Sequence, residues 1–182
     1  YKTLDDGNLA KLNAEQNEWE YNAGAIELVS LPRWMRFAYS YACNLDCYHC
    51  YQRDGALTRL KLSTEFMDEM ASLSSHYQVI LPFGGEPFLY RPVLDFMDHD
   101  GLSEGCKYFF ITNATLITER VRASLATKDL LGIAVSLDAA TEKSFDILRL
   151  RGKYASWQTV LGNLDWLSEL NHRRPFKFSV SM

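Results

Sequence analysis

The sequence predicts an α/β fold with a parallel sheet, and three observations lead to that prediction. Five short apolar segments alternate with amphipathic segments that have helical spacing. The apolar segments start about 25 to 45 residues apart, which leaves room for one crossover helix between successive parallel strands. The middle segments are also almost continuously hydrophobic, as strands buried on both faces are. These features fit a sheet curved into a barrel as well as an open, doubly wound sheet.

The five predicted strands are short, and the middle ones are rich in the β-branched and aromatic residues that favour an extended backbone. They are Trp34 to Tyr41, Tyr77 to Pro82, Lys107 to Thr112, Leu131 to Leu137 and Phe176 to Ser181.

Helices are predicted between the strands from capping residues and helical spacing. Ser63 and Thr118 can each cap a helix, because a hydroxyl oxygen accepts a hydrogen bond from the first turn. Pro92 suits the first turn of a helix that lies between these two. Two more helices are expected over residues 141–148 and 155–170, the second with its apolar residues at helical spacing.

The two ends of the chain differ from its middle. Residues 1–33 are expected to form a polar N-terminal arm or exposed helix, because Asp5 to Asn22 is polar and charged. Residues 34–182 are expected to form the core domain. The chain begins at Tyr1 rather than Met and ends within the last predicted strand, so we expect it to be part of a longer protein.

Composition and charge exclude several classes of function. Of the 182 residues 47% are hydrophobic, as in a globular domain, and the net charge is −4. The sequence has no basic cluster, so we expect no nucleic-acid partner. The apolar runs are too short to cross a bilayer and the start has no signal-peptide pattern. We therefore expect a cytoplasmic protein with no membrane partner.

Polar and cysteine residues are concentrated where the predicted strands end. Cys43 to Cys50 follows the first strand, and Phe83 to Pro87 follows the second. Thr112 to Thr115 and Ser136 to Asp138 end the third and the fourth. Because the carboxyl ends of parallel strands open on one face, we expect these four segments to converge on one site.

Three of the four cysteines, Cys43, Cys47 and Cys50, lie in one short loop. Without a secretory signal, they are better interpreted as metal ligands or redox groups than as disulfides. Three thiolates can hold a [4Fe–4S] cluster and leave one iron open to another ligand. A structural zinc site needs a fourth ligand, and neither His49 nor Cys106 is well placed to supply it. A thioredoxin-like redox pair would leave Cys43 unexplained.

The turn Gly84-Gly85-Glu86-Pro87 is the second candidate for ligand binding. Two glycines let the backbone turn sharply and approach a ligand closely, and Pro87 fixes the exit from the turn. Exposed backbone groups in such a turn can hold an amino group. An ordinary strand-to-helix turn also uses glycine freely, so the double glycine alone leaves both interpretations open.

The cysteine spacing and the glycine turn together resemble the radical SAM superfamily. The pattern Cys-x3-Cys-x2-Cys after a first strand and Gly-Gly-Glu-Pro after a second carries the resemblance. Residues 112–116 are similar to the family's Thr-Asn-Gly-Thr-Leu, and residues 135–141 to its Val-Ser-Leu-Asp-Gly-Ala-Thr. The likeness covers about residues 33–182, which is most of the chain.

This resemblance implies a partial (βα) barrel of parallel strands, a radical SAM core truncated before its last strand. The family core usually has six strands, and five are visible in this sequence. The chain departs from the family pattern at three positions, none of which removes a ligand. Phe83 stands in place of Thr, and Ala114 and Ala139 stand in place of Gly.

The resemblance also implies how two cofactors would bind. Cys43, Cys47 and Cys50 would ligate the [4Fe–4S] cluster, and S-adenosylmethionine (SAM) would chelate the open iron through its methionine amino and carboxylate groups. The SAM amino group would be held by backbone groups of four successive residues, Gly84, Gly85, Glu86 and Pro87.

Further side chains receive roles from the same resemblance. Ser136 would reach the ribose or the carboxylate of SAM. Arg149 would pair with the carboxylate, for which a guanidinium is suited, and Arg151 competes for that role. His49 would lie near the adenine or donate a hydrogen bond at the cluster. Asn113 and Asp138 are also expected to line the site at the carboxyl ends of the strands.

The function implied is that of an enzyme that cleaves SAM reductively and uses the 5′-deoxyadenosyl radical to modify a peptide or a small molecule. A flavodoxin- or ferredoxin-like protein is the implied electron donor. Residues 41–45 and 136–138 look most like members that mature peptides or cofactors. The alternatives are an activase that makes a glycyl radical on a partner protein, a zinc-stabilised interaction module, and a cluster-bearing scaffold without catalysis.

Overall fold

Five parallel strands form a single sheet in the computed structural model, which describes residues 6–52, 62–99, 102, 105–149 and 155–181. The strands are β1 (Trp34–Ser40), β2 (Val79–Gly84), β3 (Lys107–Thr112), β4 (Leu130–Ser136) and β5 (Lys177–Ser181). Each strand pairs with the next along the chain, so the spatial order is β1-β2-β3-β4-β5.

This strand order decides between the two architectures that the sequence left open. A doubly wound sheet reverses its strand order at one point, which places helices on both of its faces. Here the order always advances in one direction. Because parallel crossovers are right-handed, every crossover helix then lies on the same face of the sheet. The prediction of a partial (βα) barrel is confirmed.

Six α-helices occur in the described part of the chain, and none of them has the length and apolarity needed to cross a membrane. They are α1 (Asp6–Ala23), α2 (Thr64–Ser72), α3 (Arg91–Met97), α4 (Glu119–Thr127), α5 (Glu142–Arg149) and α6 (Trp157–Arg173). The two predicted caps form as expected: Ser63 accepts a hydrogen bond from Phe66 N, and Thr118 accepts one from Val121 N. Short 3-10 helices lie at Ser74–His76 and Pro87–Leu89.

The bounds of β2 differ from the predicted ones by two residues at each end. Tyr77 belongs to the end of a 3-10 helix, because its backbone N–H donates to Ser74 O at 3.1 Å. At its other end the strand continues past Pro82, since Gly84 still pairs with Ser40 of β1. The glycine turn therefore starts inside the strand rather than after it.

The hydrophobic core lies between the sheet and the helices. Large side chains of the strands are buried in it, including Phe37, Ile80, Phe110 and Val135. Phe37 packs edge-on against Phe96 of α3, with ring centroids 5.7 Å apart. The opposite face of the sheet carries side chains that are less covered, and Ile111 of β3 remains 42% exposed there.

The N-terminal helix α1 contacts the 3-10 helix at Ser74–His76. Asn13 makes this attachment, because its Nδ2 donates to His76 O at 3.0 Å and to Leu31 O at 2.9 Å. The predicted polar helix is therefore present and is held against the core domain. The division of the chain at residue 33 stays a prediction.

Among the residues that the structure describes, two that are not glycine adopt left-handed backbone conformations, each shortly after the end of a strand. Ala114, after β3, has φ of 56°, and Asp138, after β4, has φ of 54°. Aspartate tolerates this conformation better than alanine does. Ala114 is one of the two positions at which the family pattern has glycine. The second position, Ala139, does not have a positive φ.

We expect Ala114→Gly to retain more stability than Ala139→Gly by about 1 to 2 kcal/mol. Both alanines are buried, so each substitution removes one methyl group from the core and adds the flexibility of glycine to the unfolded chain. Only Ala114→Gly also relieves the left-handed strain. Urea denaturation of the two variants measures the difference, and equal losses would show that the φ of Ala114 costs nothing.

Candidate functional site

A cavity of about 270 Å³ opens at the carboxyl ends of the strands. It is bounded by the cysteine loop after β1, the turn after β2, the end of β3, the end of β4 and the last residue of α5. Its lining residues are Cys43, Cys47, His49, Cys50, Tyr51, Gln52, Gly84, Gly85, Glu86, Ile111, Thr112, Asn113, Ser136 and Arg149.

Two of the candidate residues named from the sequence do not line this cavity. Pro87 is buried and begins a 3-10 helix. Asp138 is not among the lining residues, but its carboxylate contacts two residues that are, His49 and Arg149. All the other candidates reach the cavity. Arg151, the competitor of Arg149, lies outside the described residues.

The cysteine loop is tied to distant parts of the chain on both of its sides. Asn44 Nδ2 donates to Thr115 Oγ1 at 2.7 Å, which holds the start of the loop to the segment after β3. Tyr48 N donates to Leu148 O at 2.9 Å, which holds its far side to α5. The positions of the three cysteines therefore depend on residues about 70 to 100 positions further along the chain.

Asn113 places an amide donor near the first cysteine. Its Oδ1 accepts hydrogen bonds from Thr115 N at 2.9 Å and from Thr115 Oγ1, so the side-chain orientation is fixed. Its Nδ2 donates to Asn44 Oδ1 at 3.0 Å and lies 3.9 Å from Cys43 Sγ. The side-chain N–H groups of Asn113 therefore face the sulfur of Cys43, which can accept a weak hydrogen bond.

The two glycines of the turn are required by contacts with the backbone of Ser40, at the end of β1, and of Ala42, directly before Cys43. Gly85 N donates to Ser40 O, and Glu86 N donates to Ala42 O, both at 3.0 Å. A Cβ on Gly84 would overlap the Ser40 carbonyl oxygen, and a Cβ on Gly85 would overlap that of Ala42. Gly84 also has φ of 137°, which favours glycine. The close approach is therefore to protein backbone, whereas the sequence suggested an approach to a ligand.

Glu86 joins the turn to the end of β3. Its side chain is 2% exposed and accepts hydrogen bonds from Thr112 Oγ1 at 2.7 Å, Asn113 N at 2.8 Å and Phe88 N at 3.3 Å. Burial raises the pKa of Glu86 to about 7, although these three donors favour the charged form. The carboxylate thus fixes the wall of the cavity, and its oxygens are already occupied by protein donors.

Arg149 is the buried member of a network of charged and polar side chains. Its Nη2 lies 2.6 Å from Asp138 Oδ2, and its Nη1 donates to Cys47 Sγ at 3.4 Å. The same carboxylate oxygen of Asp138 lies 3.0 Å from His49 Nε2. His49 is half exposed, so the network runs from the surface to a cysteine of the cavity.

The three cysteine side chains fit an iron–sulfur cluster by their chemistry. All are reduced thiols, and desolvation raises the pKa of Cys43 to about 11, although the residue as a whole is exposed. Desolvation also raises the pKa of Cys47, and the Arg149 guanidinium opposes that rise. Nowhere in the described ranges do three His, Cys, Asp or Glu side chains come together around one metal ion. In a cubane each ligand sulfur binds a different iron, so the ligands stand further apart.

Four lining residues had no individual role in the sequence analysis, although Thr112 belongs to one of the strand-end segments expected at the site. Thr112 and Ile111 directly precede Asn113, so their place at the end of a strand was a usable signal. Gln52 donates from Nε2 to Gly84 O at 2.9 Å, and Tyr51 lies beside it. Nothing in the sequence separates Gln52 from other polar loop residues, because its partner comes from a different strand.

Comparison with known proteins gives one family model, described as the radical SAM superfamily, which matches residues 38–182. Among curated proteins, mycofactocin maturase MftC of Mycolicibacterium smegmatis is 32% identical over 138 residues, covering 73% of this chain and 34% of that protein. The AdoMet-dependent heme synthase of Methanosarcina barkeri is 27% identical over 165 residues, covering 86% of this chain and 44% of the relative. The chain thus spans less than half the length of these relatives.

Solved structures show a similar fold. Streptococcus suis SuiB bound to S-adenosylmethionine superimposes with a TM-score of 0.65 at 17% identity, covering 92% of this chain and 37% of SuiB. SuiB bound to the precursor peptide SuiA gives a TM-score of 0.64. At this level of identity the likeness establishes the architecture of the sheet and its helices.

Proposed function

This chain belongs to the radical SAM superfamily, and from that premise we propose that it binds a [4Fe–4S] cluster and SAM in the cavity at the strand ends and uses them to modify a substrate. Bound together, the two cofactors would supply a 5′-deoxyadenosyl radical through reductive cleavage of SAM. The observation that carries the proposal is that three cysteines of one loop line a single cavity with the double-glycine turn.

The cysteines Cys43, Cys47 and Cys50 are the proposed cluster ligands. Iron binds thiolates, so loading the cluster would displace the protons that desolvation favours on Cys43 and Cys47. The hydrogen bonds that Asn44 and Tyr48 donate support this role, because they fix the cysteine loop at the edge of the cavity.

The proposed SAM contacts lie on the other walls of the cavity. Ser136, at the end of β4, is the proposed contact to the ribose or carboxylate. The turn at residues 84–87 is the proposed site of the amino group, and Asn113 and His49 flank the space between them. Arg149 is the cation proposed for the carboxylate, and its position in the cavity wall fits that contact.

We infer a peptide as the substrate class. The relative MftC is named a maturase, and SuiB has been solved with a precursor peptide, and both support a peptide. The electron would come from a flavodoxin- or ferredoxin-like protein, and we place the chain in the cytoplasm, whose reducing conditions preserve free thiols.

The test is formation of 5′-deoxyadenosine by the anaerobically reconstituted protein with SAM and dithionite. We expect product from the wild-type chain and none from Cys47→Ala. Iron, sulfide and zinc contents are measured for both proteins. Stoichiometric zinc without iron uptake would identify an interaction module instead. A loaded cluster that leaves SAM intact would identify a scaffold without catalysis.

A further inference from the structure

Arg149 is buried to an extent that is unusual for an arginine, with 6% of its surface exposed. It is the last residue of α5, and its guanidinium points inward from the helix end. Nη1 donates a hydrogen bond to Cys47 Sγ and Nε donates one to Leu137 O at 3.4 Å, whereas Nη2 forms an ion pair with Asp138 Oδ2 without the geometry of a hydrogen bond. The two hydrogen bonds and the ion pair orient the guanidinium towards Cys47.

We propose that Arg149 donates to the sulfur of Cys47 and thereby raises the reduction potential of the cluster, and that Asp138 is the positioning residue that holds the guanidinium in place. This inference rests on the proposed function, because it requires that Cys47 ligates the cluster. It gives Arg149 a role towards the cluster in addition to any contact with the SAM carboxylate.

The burial of the three cysteines explains why this contact matters at Cys47. Cys47 is 7% exposed, whereas Cys43 is exposed and Cys50 is half-buried. Water can solvate the more exposed sulfurs when the cluster gains negative charge. The sulfur of Cys47 depends on protein donors, and a charge-assisted donor stabilises the more negative, reduced state. Hydrogen bonds to the sulfurs are one of the established determinants of cluster potential.

Asp138 is suited to hold Arg149 rather than to bind a ligand itself. It does not line the cavity, and its Oδ2 is shared between Arg149 and His49. Its left-handed φ of 54° turns the backbone two residues after the end of β4, and its carboxylate contacts Arg149 and His49. Asparagine tolerates the same backbone conformation, so Asp138→Asn removes the charge without disturbing the turn.

Charge and positioning predict opposite results for Asp138→Asn. If the carboxylate acted only through its charge, its removal would raise the reduction potential. If it holds Arg149 against Cys47, its removal frees the guanidinium and lowers the potential. Arg149→Lys makes a second distinction, because lysine keeps the charge and loses the directed planar donor.

The experiment is an EPR-monitored redox titration of the reconstituted chain without SAM. We expect Arg149→Gln to lower the ratio of reduced to oxidised cluster at a fixed potential about tenfold, a shift of about 59 mV for one electron. Arg149→Lys and Asp138→Asn are expected to shift it in the same direction by less. The matched control is Arg122→Gln on α4, an arginine that pairs with Glu119 and Asn163 outside the cavity, and it should leave the potential unchanged.

Iron analysis of the wild-type chain distinguishes a failure of the proposed function from a failure of the role inferred for Arg149. If the wild type takes up no cluster, the proposed function is wrong and this inference falls with it. If the cluster loads, an unchanged potential in Arg149→Lys or a raised potential in Asp138→Asn overturns this inference alone. Should Arg149→Gln fail to fold, as thermal unfolding would reveal, the two conservative variants still decide the question.

Discussion

Replacing Cys43, Cys47 or Cys50 by alanine is expected to abolish cluster loading, whereas Cys106→Ala is expected to leave it intact. Each of the first three thiols lines the cavity. A cluster with three protein ligands would keep only two after any one of these substitutions, which is too few to hold it. The wild-type chain should take up about four iron and four sulfide on anaerobic reconstitution. Metal analysis and visible absorption of the four variants measure the difference.

Cys106 is the matched control because it is a buried thiol at the other end of the sheet. It directly precedes β3, and its single S–H points at two carbonyl oxygens, Ser74 O at 2.8 Å and Tyr77 O at 2.9 Å from Sγ. Its replacement removes packing and is expected to lower the free energy of unfolding by about 1 to 2 kcal/mol without touching the cavity. Full iron uptake by any of the three loop variants, or loss of iron from a folded Cys106→Ala, would contradict the ligand assignment.

Gly85→Ala is expected to prevent cluster loading even when SAM is absent. The added Cβ would overlap the carbonyl oxygen of Ala42, which directly precedes Cys43. Backbone cannot yield as a flexible side chain does, so the cysteine loop has to move away from the turn. Overpacking of this kind costs about 1 to 3 kcal/mol in stability, and here the displaced segment carries a ligand. Urea denaturation and iron analysis measure the two effects.

Gly162→Ala on α6 is the matched control for the added methyl group. Apart from its chain neighbours and the backbone of its own helix, no atom lies within 4 Å of the Cβ that it would gain, so the substitution fills open space. Alanine favours a helix over glycine by about 1 kcal/mol, and the control should therefore be more stable than the wild type. If Gly85→Ala loaded its cluster normally and lost only SAM affinity, the glycine would serve the ligand, as the sequence suggested, and not the loop.

The sequence predicted the strands well where local pattern decides the structure. The bounds of β3 are the predicted ones, because a continuous apolar and β-branched run has no alternative at that length. The start of β2 was misplaced because Tyr77, an aromatic residue with strand preference, takes part in a 3-10 helix. The choice between a barrel and a doubly wound sheet could not be made from any one strand, since strand order depends on where successive helices pack.

The candidate site shows the same division between local and long-range information. The cysteine loop and the glycine turn are short motifs whose residue types carry their chemistry, so both could be recognised in the sequence. The contact of Arg149 with Cys47 joins residues 102 positions apart, and no local pattern encodes it. The reason for Gly85 was likewise hidden, because only the folded chain brings it against Ala42.

The tethers of the cysteine loop also set the order in which the protein can be assembled during synthesis. The loop leaves the ribosome early, but the residues that hold it, Asn113, Thr115 and Leu148, follow much later. Consecutive strand order lets each βα unit add to the growing edge of the sheet as it emerges. The iron-binding loop nevertheless lacks its last tether until α5 has been translated and folded. Delivery of iron and sulfide should therefore follow the synthesis of α5, which ends at Arg149.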